Sequence, residues 1–237
     1  MNKEGNGYTI AYASIMVIIV ALLLSFTHQA LSVKQTTNVN RDKMQQILRS
    51  LKIDAPADEA VKTYNSLIIN AYLVDKDGIK INGSEGVTPQ DPAFTTDISK
   101  GSENGLPVFE AEVDGSKKYI IPLTGSGLWG AIWGYLAVDE DGSSVYGSEF
   151  GHASETPGLG AEIVEYAFRS QFEGKHLFKD GQFTSIAVVK PGAIDSKRDY
   201  VDGISGGTIT SKGVNNMLLE SVGFYQNFLK KLSNPEK

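Results

Sequence analysis

The sequence predicts an α+β protein, with one N-terminal transmembrane helix followed by a mixed α+β domain rich in antiparallel hairpins. Three observations lead there. Residues 5–33 carry no formal charge, three Asp-Gly pairs separate apolar runs, and the chain closes on one apolar helical stripe. With 237 residues, 41% of them hydrophobic, the chain can bury a core in one or two domains.

Ile10 to Phe26 is nearly all apolar. A helix over residues 8–31 would run ~36 Å, enough to cross a ~30 Å hydrocarbon layer. Such a segment is apolar on every face, which argues against a buried core helix. Ala30-Leu31-Ser32 offers small residues at signal-cleavage spacing, but signal-peptide cores are usually ~7–15 residues long. The expectation is a retained anchor over residues 8–32, preceded by a cytoplasmic N-terminus at 1–7. Residues 34–52 sum to +4 and residues 53–237 to −10. The positive-inside rule would keep the large domain in the cytoplasm, yet a long translocated domain can override it, so charge leaves the side open. The basic collar reads equally as a contact to anionic lipid or as a solvated helix.

Residues 33–105 read as a membrane-proximal α+β region and 106–237 as a second domain. Met44, Ile47, Leu48 and Leu51 share helical spacing, and Pro56-Ala57-Asp58-Glu59 has the chemistry of a helix start. Strands are expected over 67–74 and 79–81 around Asp77-Gly78, and over 108–113 and 118–123 around Asp114-Gly115. A third pair, 129–138 and 143–150, flanks Asp141-Gly142. Residues 82–105, rich in Gly, Ser, Pro and Asp, read as a long surface excursion. A short helix is expected over 161–172 and a strand over 183–189. Val214, Met217, Leu218, Val222, Tyr225, Phe228, Leu229 and Leu232 form the closing helical stripe.

Composition removes several chemistries. No cysteine is present, which excludes disulfides, thiolate-held metals and a thiol nucleophile within the chain. A net charge of −6 speaks against nucleic acid as a main partner. Gly125 to Gly130 satisfies G-x-G-x-x-G, but the following Ala131 to Val138 reads as a strand, whereas a dinucleotide fingerprint needs a helix there. Gly203 to Gly207 satisfies G-x-S-x-G, but no histidine follows His176, so the hydrolase order is missing. His152 and Glu155 lack an evident third metal ligand.

Asp202-Gly203-Ile204-Ser205-Gly206-Gly207-Thr208-Ile209-Thr210-Ser211 is a glycine-flanked run of hydroxyls ahead of the last helix. Exposed backbone N–H groups and a helix N-terminus favour a phosphate group. The competing reading is that Ser211 simply caps the helix while the glycines turn the chain.

Residues 202–208 resemble the covalent-flavinylation motif, Asp-x-x-Ser/Thr-Gly-Ala-Thr, of the FMN-binding domain family, with Gly207 in place of the usual alanine. Gly127-Leu128-Trp129, Trp133 to Ala137, His152 to Gly160 and Gln171 to Lys175 extend the likeness. In order and spacing they resemble the C-subunit family of Na+-translocating NADH:quinone oxidoreductases. The G-subunit of the Rnf electron-transport complex shares the Glu-Thr-Pro-Gly-Leu-Gly and threonine motifs and stands as the alternative. The resemblance implies FMN on Thr208 through a phosphoester, transferred from FAD by a separate Mg2+-dependent flavin transferase. It puts Trp129, Glu155, Thr156 and Leu159 near the isoalloxazine, and Ser205, Gly206 and Gly207 near the phosphate and ribityl chain. Lys190 would add positive charge that favours the reduced anion. The implied role is a flavin electron relay in the cell inner membrane, with a periplasmic C-terminal domain. NADH, ubiquinone and the Na+ path would belong to partner subunits, and no catalytic or metal residue to this chain. A non-redox, membrane-tethered binding or assembly protein is the alternative from another class.

Overall fold

The computed structural model describes residues 6–233 apart from Ser102. They fall into two compact units, one ending at Asp42 and one beginning at Lys43. Residues 1–5 of the expected cytoplasmic N-terminus lie outside the described residues.

Helix α1 (Asn6–Ser50) supplies the first unit and opens the second. Its 45 residues contain both the expected anchor and the expected stripe at 40–51 in one helix. The reason is local: no proline or glycine interrupts the chain between Tyr8 and Ser50. The hydroxyls of Thr36 and Thr37 donate back to the carbonyls of Ser32 and Val33, at 3.0 and 2.9 Å, and so do not compete with the helix. The segment around Ile10 to Phe26 exposes apolar side chains on every side, Leu22 at 66% and Phe26 at 75%. It is long and apolar enough to cross a membrane.

The second unit is built on five antiparallel strands in sequence order: β1 (Ile68–Val74), β2 (Leu106–Val113), β3 (Ser116–Ser126), β4 (Ala131–Asp139) and β5 (Val145–His152). Asp114 and Gly115 both take positive φ, 51° and 74°, the type I′ geometry that suits a two-residue hairpin. Both sheet faces are covered. Neighbours Ile120 and Ile121 on β3 are each fully buried, one in each of two cores. One core packs the sheet against α5 (Thr208–Phe224) and α6 (Gln226–Ser233) through Val214, Met217, Leu218, Val222 and Leu229. The other packs it against Met44, Ile47 and Leu48 of α1 and Tyr64 of α2 (Ala60–Leu67).

Several elements differ from the sequence reading. Pro56 begins a turn, its carbonyl accepting from Ala60 N–H at 2.9 Å, and α2 starts four residues later. Residues 79–81 contribute one bridge, Val74 to Lys80, and no strand. The 82–105 excursion is a covering layer. It contains α3 (Pro92–Thr95) and a 3-10 turn at Ile98–Lys100. Phe94 is buried edge-on against Tyr64 and Phe109, with centroids 6.3 and 6.5 Å apart. The Lys43 ammonium donates to the Phe94 carbonyl and lies 4.5 Å from its ring centre. Burial pushes it down to about 8, against the attraction of Asp97.

The helix expected over 161–172 breaks into a 3-10 turn (Gly160–Val164), α4 (Tyr166–Arg169) and another 3-10 turn (Ser170–Phe172). Ile163, Phe168 and Phe172 are all buried, at spacings one regular helical face would not supply. The strand expected over 183–189 divides at buried Ser185, whose φ of 59° bends the chain. Its halves become β7 (Gln182–Phe183), paired with β6 (Phe178–Lys179), and β8 (Ala187–Val189), parallel to β9 (Tyr200–Asp202). The closing stripe spans α5 and α6, joined at buried Tyr225, whose hydroxyl donates to the Pro107 carbonyl at 2.9 Å.

The end of α1 is tied to the sheet by polar contacts as well. Arg49 Nε donates to Glu149 Oε1 at 2.6 Å, and Arg169 donates to Glu149 Oε2. Trp133 Nε1 donates to Gln46 Oε1 at 2.8 Å.

Candidate functional site

The hydroxyl-rich run ends where α5 begins. Gly203 N–H donates to the Val189 carbonyl at 2.7 Å, which ties the loop to β8. Gly206 sits at φ 77°, where a side chain would be strained, and a Cβ there would lie 2.6 Å from Leu159 Cδ2 and push that side chain aside. Gly207 is the residue before the helix, and no side chain caps it. Ser211, one candidate for the cap, instead lies inside α5 and accepts the Ile204 N–H at 2.8 Å. The first-turn amides therefore form an open, partially positive helix end. Thr208 occupies its first position and is exposed.

Glu155 lies behind this end, 4% exposed. Its Oε2 accepts from the Thr210 hydroxyl at 2.5 Å, and its Oε1 from the Trp129 N–H at 2.8 Å. One carboxylate thus joins the β5 exit, the β3–β4 turn and the first turn of α5. Glycines give it room: a Cβ at Gly127 would lie 2.5 Å from Oε1, and one at Gly160 would lie 2.4 Å from Oε2. The Thr156 carbonyl accepts from Leu159 and Ala161, both at 3.1 Å, closing the turn that presents Leu159 outward.

Two concavities flank Thr208. One, of about 210 Å³, is lined by Glu155, Thr156, Leu159, Gly160, Gly206, Gly207, Ile209 and Thr210, with Leu128 at its edge. The other, about 270 Å³, is lined by Lys190, Arg198, Lys212, Asn215, Ser211 and the apolar Val188, Val189 and Ile204. Thr208 belongs to both.

The structure therefore brings Glu155, Thr156, Leu159, Gly206, Gly207 and Thr208 to one cleft and Lys190 to the adjoining one. Ser205 is exposed in the loop and lines neither. Trp129 also lines neither. It stands 63% exposed in the turn before β4, outside the strand expected to begin there, with its backbone fastened to Glu155. Its turn is the rejected G-x-G-x-x-G run, closed by Gly127 N–H to the Gly130 carbonyl at 2.8 Å and followed by β4. Sequence reasoning took Thr210 only as the next acceptor candidate after Thr208, and missed Leu128, Ile209, Arg198 and Lys212. Thr210 and Ile209 stood in the hydroxyl-rich run just past the motif, and Lys212 follows Thr208 by one helical turn. Arg198 gave no sequence signal.

This arrangement lies within the part of the chain, residues 127–222, that matches the FMN-binding domain family. All nine expected site residues fall inside that stretch. The full chain is 30% identical over 233 residues to the Na(+)-translocating NADH-quinone reductase C-subunit of Vibrio campbellii, covering 90% of this chain and 89% of that one. It is 29% identical to the corresponding protein of Yersinia pestis, covering 98% and 94%. Among solved structures, the C-subunit from Parabacteroides distasonis is 50% identical, with a TM-score of 0.78, covering 84% of this chain and 96% of that one. Shewanella oneidensis NqrC follows at 27% identity and a TM-score of 0.66, covering 81% and 97%. The chain belongs to the C-subunit family of Na(+)-translocating NADH-quinone reductases.

Proposed function

We propose that this chain is the flavin electron relay of a membrane complex that couples NADH oxidation and quinone reduction to Na+ export, with FMN held covalently on Thr208. The observation that carries the reading is the placement of Thr208: an exposed hydroxyl, first in an uncapped helix, on the ridge between two clefts.

The residues present fit FMN. The open end of α5 favours a phosphoryl anion. Gly206 and Gly207 keep the approach to Thr208 free of side chains. Trp129, Leu128, Leu159 and Ile209, between 42% and 63% exposed, offer apolar surface to a planar ring system. Bound FMN supplies the redox chemistry, one or two electrons at a time. Thr208 is a tether. Its Oγ1 would hold the FMN phosphoryl group as an ester once a separate flavin transferase had exchanged it for AMP, the hydroxyl proton leaving to the transferase. Ser205, Gly206 and Gly207 would lie along the phosphate and ribityl chain. Glu155, Thr156, Leu159 and Trp129 would orient the ring, and Lys190 would offset negative charge on it.

On this reading NADH, quinone and Na+ are handled by partner subunits. The chain is anchored in the inner membrane by residues 8–32, with residues 33–237 periplasmic. Reporter fusions after residue 52 test the side: activity of a cytoplasmic reporter would refute it. Co-expression with a flavin transferase, followed by ultraviolet imaging of a denaturing gel, tests the tether. The unsubstituted chain should carry a fluorescent band and Thr208→Ala none. A dark band from the unsubstituted chain would instead favour a tethered binding or assembly protein.

A further inference from the structure

The cleft on the Lys190 side of Thr208 gathers positive charge on an otherwise acidic body. Its walls carry Lys190, Arg198 and Lys212 and no carboxylate, whereas residues 53–237 sum to −10. Arg198 is held in place by Asp195, at 2.8 Å from Nε, and by Asn215 Oδ1, at 3.3 Å from Nη2. Lys212 follows Thr208 by four residues in α5, so both occupy one helix face. Helical side chains lean toward the N-terminus, which carries Lys212 toward Thr208. Among the described residues neither Lys190 nor Lys212 makes an ion pair. The apolar walls, Val188, Val189 and Ile204, strengthen the field of these charges by excluding water.

We propose that Arg198 and Lys212, together with Lys190, form an anion site that recognises the phosphoryl group of the incoming flavin nucleotide before Thr208 accepts it. The inference rests on Thr208 being the acceptor, and it adds two residues that the flavinylation motif does not contain. A flavin without phosphate gains nothing from the cleft.

The test uses the full chain in detergent with Thr208→Ala, which cannot form the ester, titrated with FMN and with riboflavin and followed by flavin fluorescence. FMN should bind about tenfold more tightly, the order set by one charge-assisted hydrogen bond. The preference should shrink as salt rises, and inorganic phosphate should compete with FMN alone. Adding Arg198→Gln and Lys212→Gln should remove most of the preference and leave riboflavin binding unchanged, whereas Lys212→Arg should retain it. Equal binding of the two flavins, FMN binding too weak to measure, or a parallel loss for both would overturn the anion site. Circular dichroism of the variants guards against unfolding, and both side chains lie at the surface of the cleft. The acceptor reading fails separately: it falls if the unsubstituted chain, co-expressed with a transferase, gives a dark band.

Discussion

Glu149 and Glu155 are two buried glutamates in and just after β5, and their surroundings differ completely. Glu149, 5% exposed, is neutralised by Arg49 and Arg169, which come from α1 and α4. Glu155, 4% exposed, is held by a hydroxyl and a backbone N–H, from Thr210 and Trp129. The first arrangement clamps the fold, since two cations from separate helices converge on one buried carboxylate. The second locates a loop and a helix end against each other beside the proposed ring site. Neutral donors cost little desolvation and leave the carboxylate's field acting on its surroundings. A structural ion pair and a site-building hydrogen-bond hub are thus told apart by their partners, though burial is the same.

Substitutions can break this contrast. Arg169→Leu should cost about 2–3 kcal/mol in urea unfolding of the full chain, the loss of one charged hydrogen bond while Arg49 still pairs with Glu149, and the flavin band should survive in whatever remains folded. Lys43 supplies a third case, a half-buried cation on a backbone carbonyl with only the more distant attraction of Asp97. Its folded pKa, about 8, lies below the ordinary 10.5. The unfolded chain therefore binds more protons between these values, so stability attributable to Lys43 should rise from pH 8 to 10.5, by up to about 3 kcal/mol. Lys43→Met should flatten that rise, and chemical unfolding at pH 7.5, 9 and 10.5 checks it. Thr210→Val removes one donor from Glu155. A cost of about 1–2 kcal/mol is expected, with flavin incorporation reduced far more than after Arg169→Leu at equal folded fraction.

The smallest effect should come from Gly207→Ala, the residue usual in the family motif. Its Cβ would meet Ile204 Cβ and Cγ2 at 3.1 Å and the Gly160 backbone nitrogen at 3.2 Å, tight contacts that need a shift of a few tenths of an ångström at the helix entry. Relief of unfolded-chain entropy offsets that crowding, so stability should change by less than about 0.5 kcal/mol and the flavin band should remain. Gly160→Ala, whose Cβ would meet Glu155 Oε2 and Thr210 Oγ1 at 2.4 Å, should by contrast disrupt the hub.

The long apolar helix, the hairpin at Asp114-Gly115 and the glycine-flanked loop before α5 were legible because each depends on local chemistry: continuous apolarity, positive φ, and glycine beside hydroxyl. The length of α1 was not, because the polar residues between Leu31 and Met44 give no periodic signal even though nothing there breaks a helix. Phe94 was hidden by the glycine- and proline-rich residues around it, whose composition describes their turns and not the ring they bury. Glu155 could be named from its motif, but its partners lie 26 and 55 residues away in the chain. The cationic cleft was illegible for the same reason. Arg198, Lys190 and Lys212 meet only when the parallel β8–β9 pair packs beside α5.

The central claim, that Thr208 bears FMN, is tested most directly by mass spectrometry of the full chain after co-expression with a flavin transferase. Tryptic cleavage after Arg198 and Lys212 yields one peptide, residues 199–212, that contains Thr208, Thr210, Ser205 and Ser211. This peptide should gain the mass of one FMN phosphoester, and fragmentation should place it on Thr208. An unmodified peptide, or flavin found on Thr210 or on either serine, would contradict it.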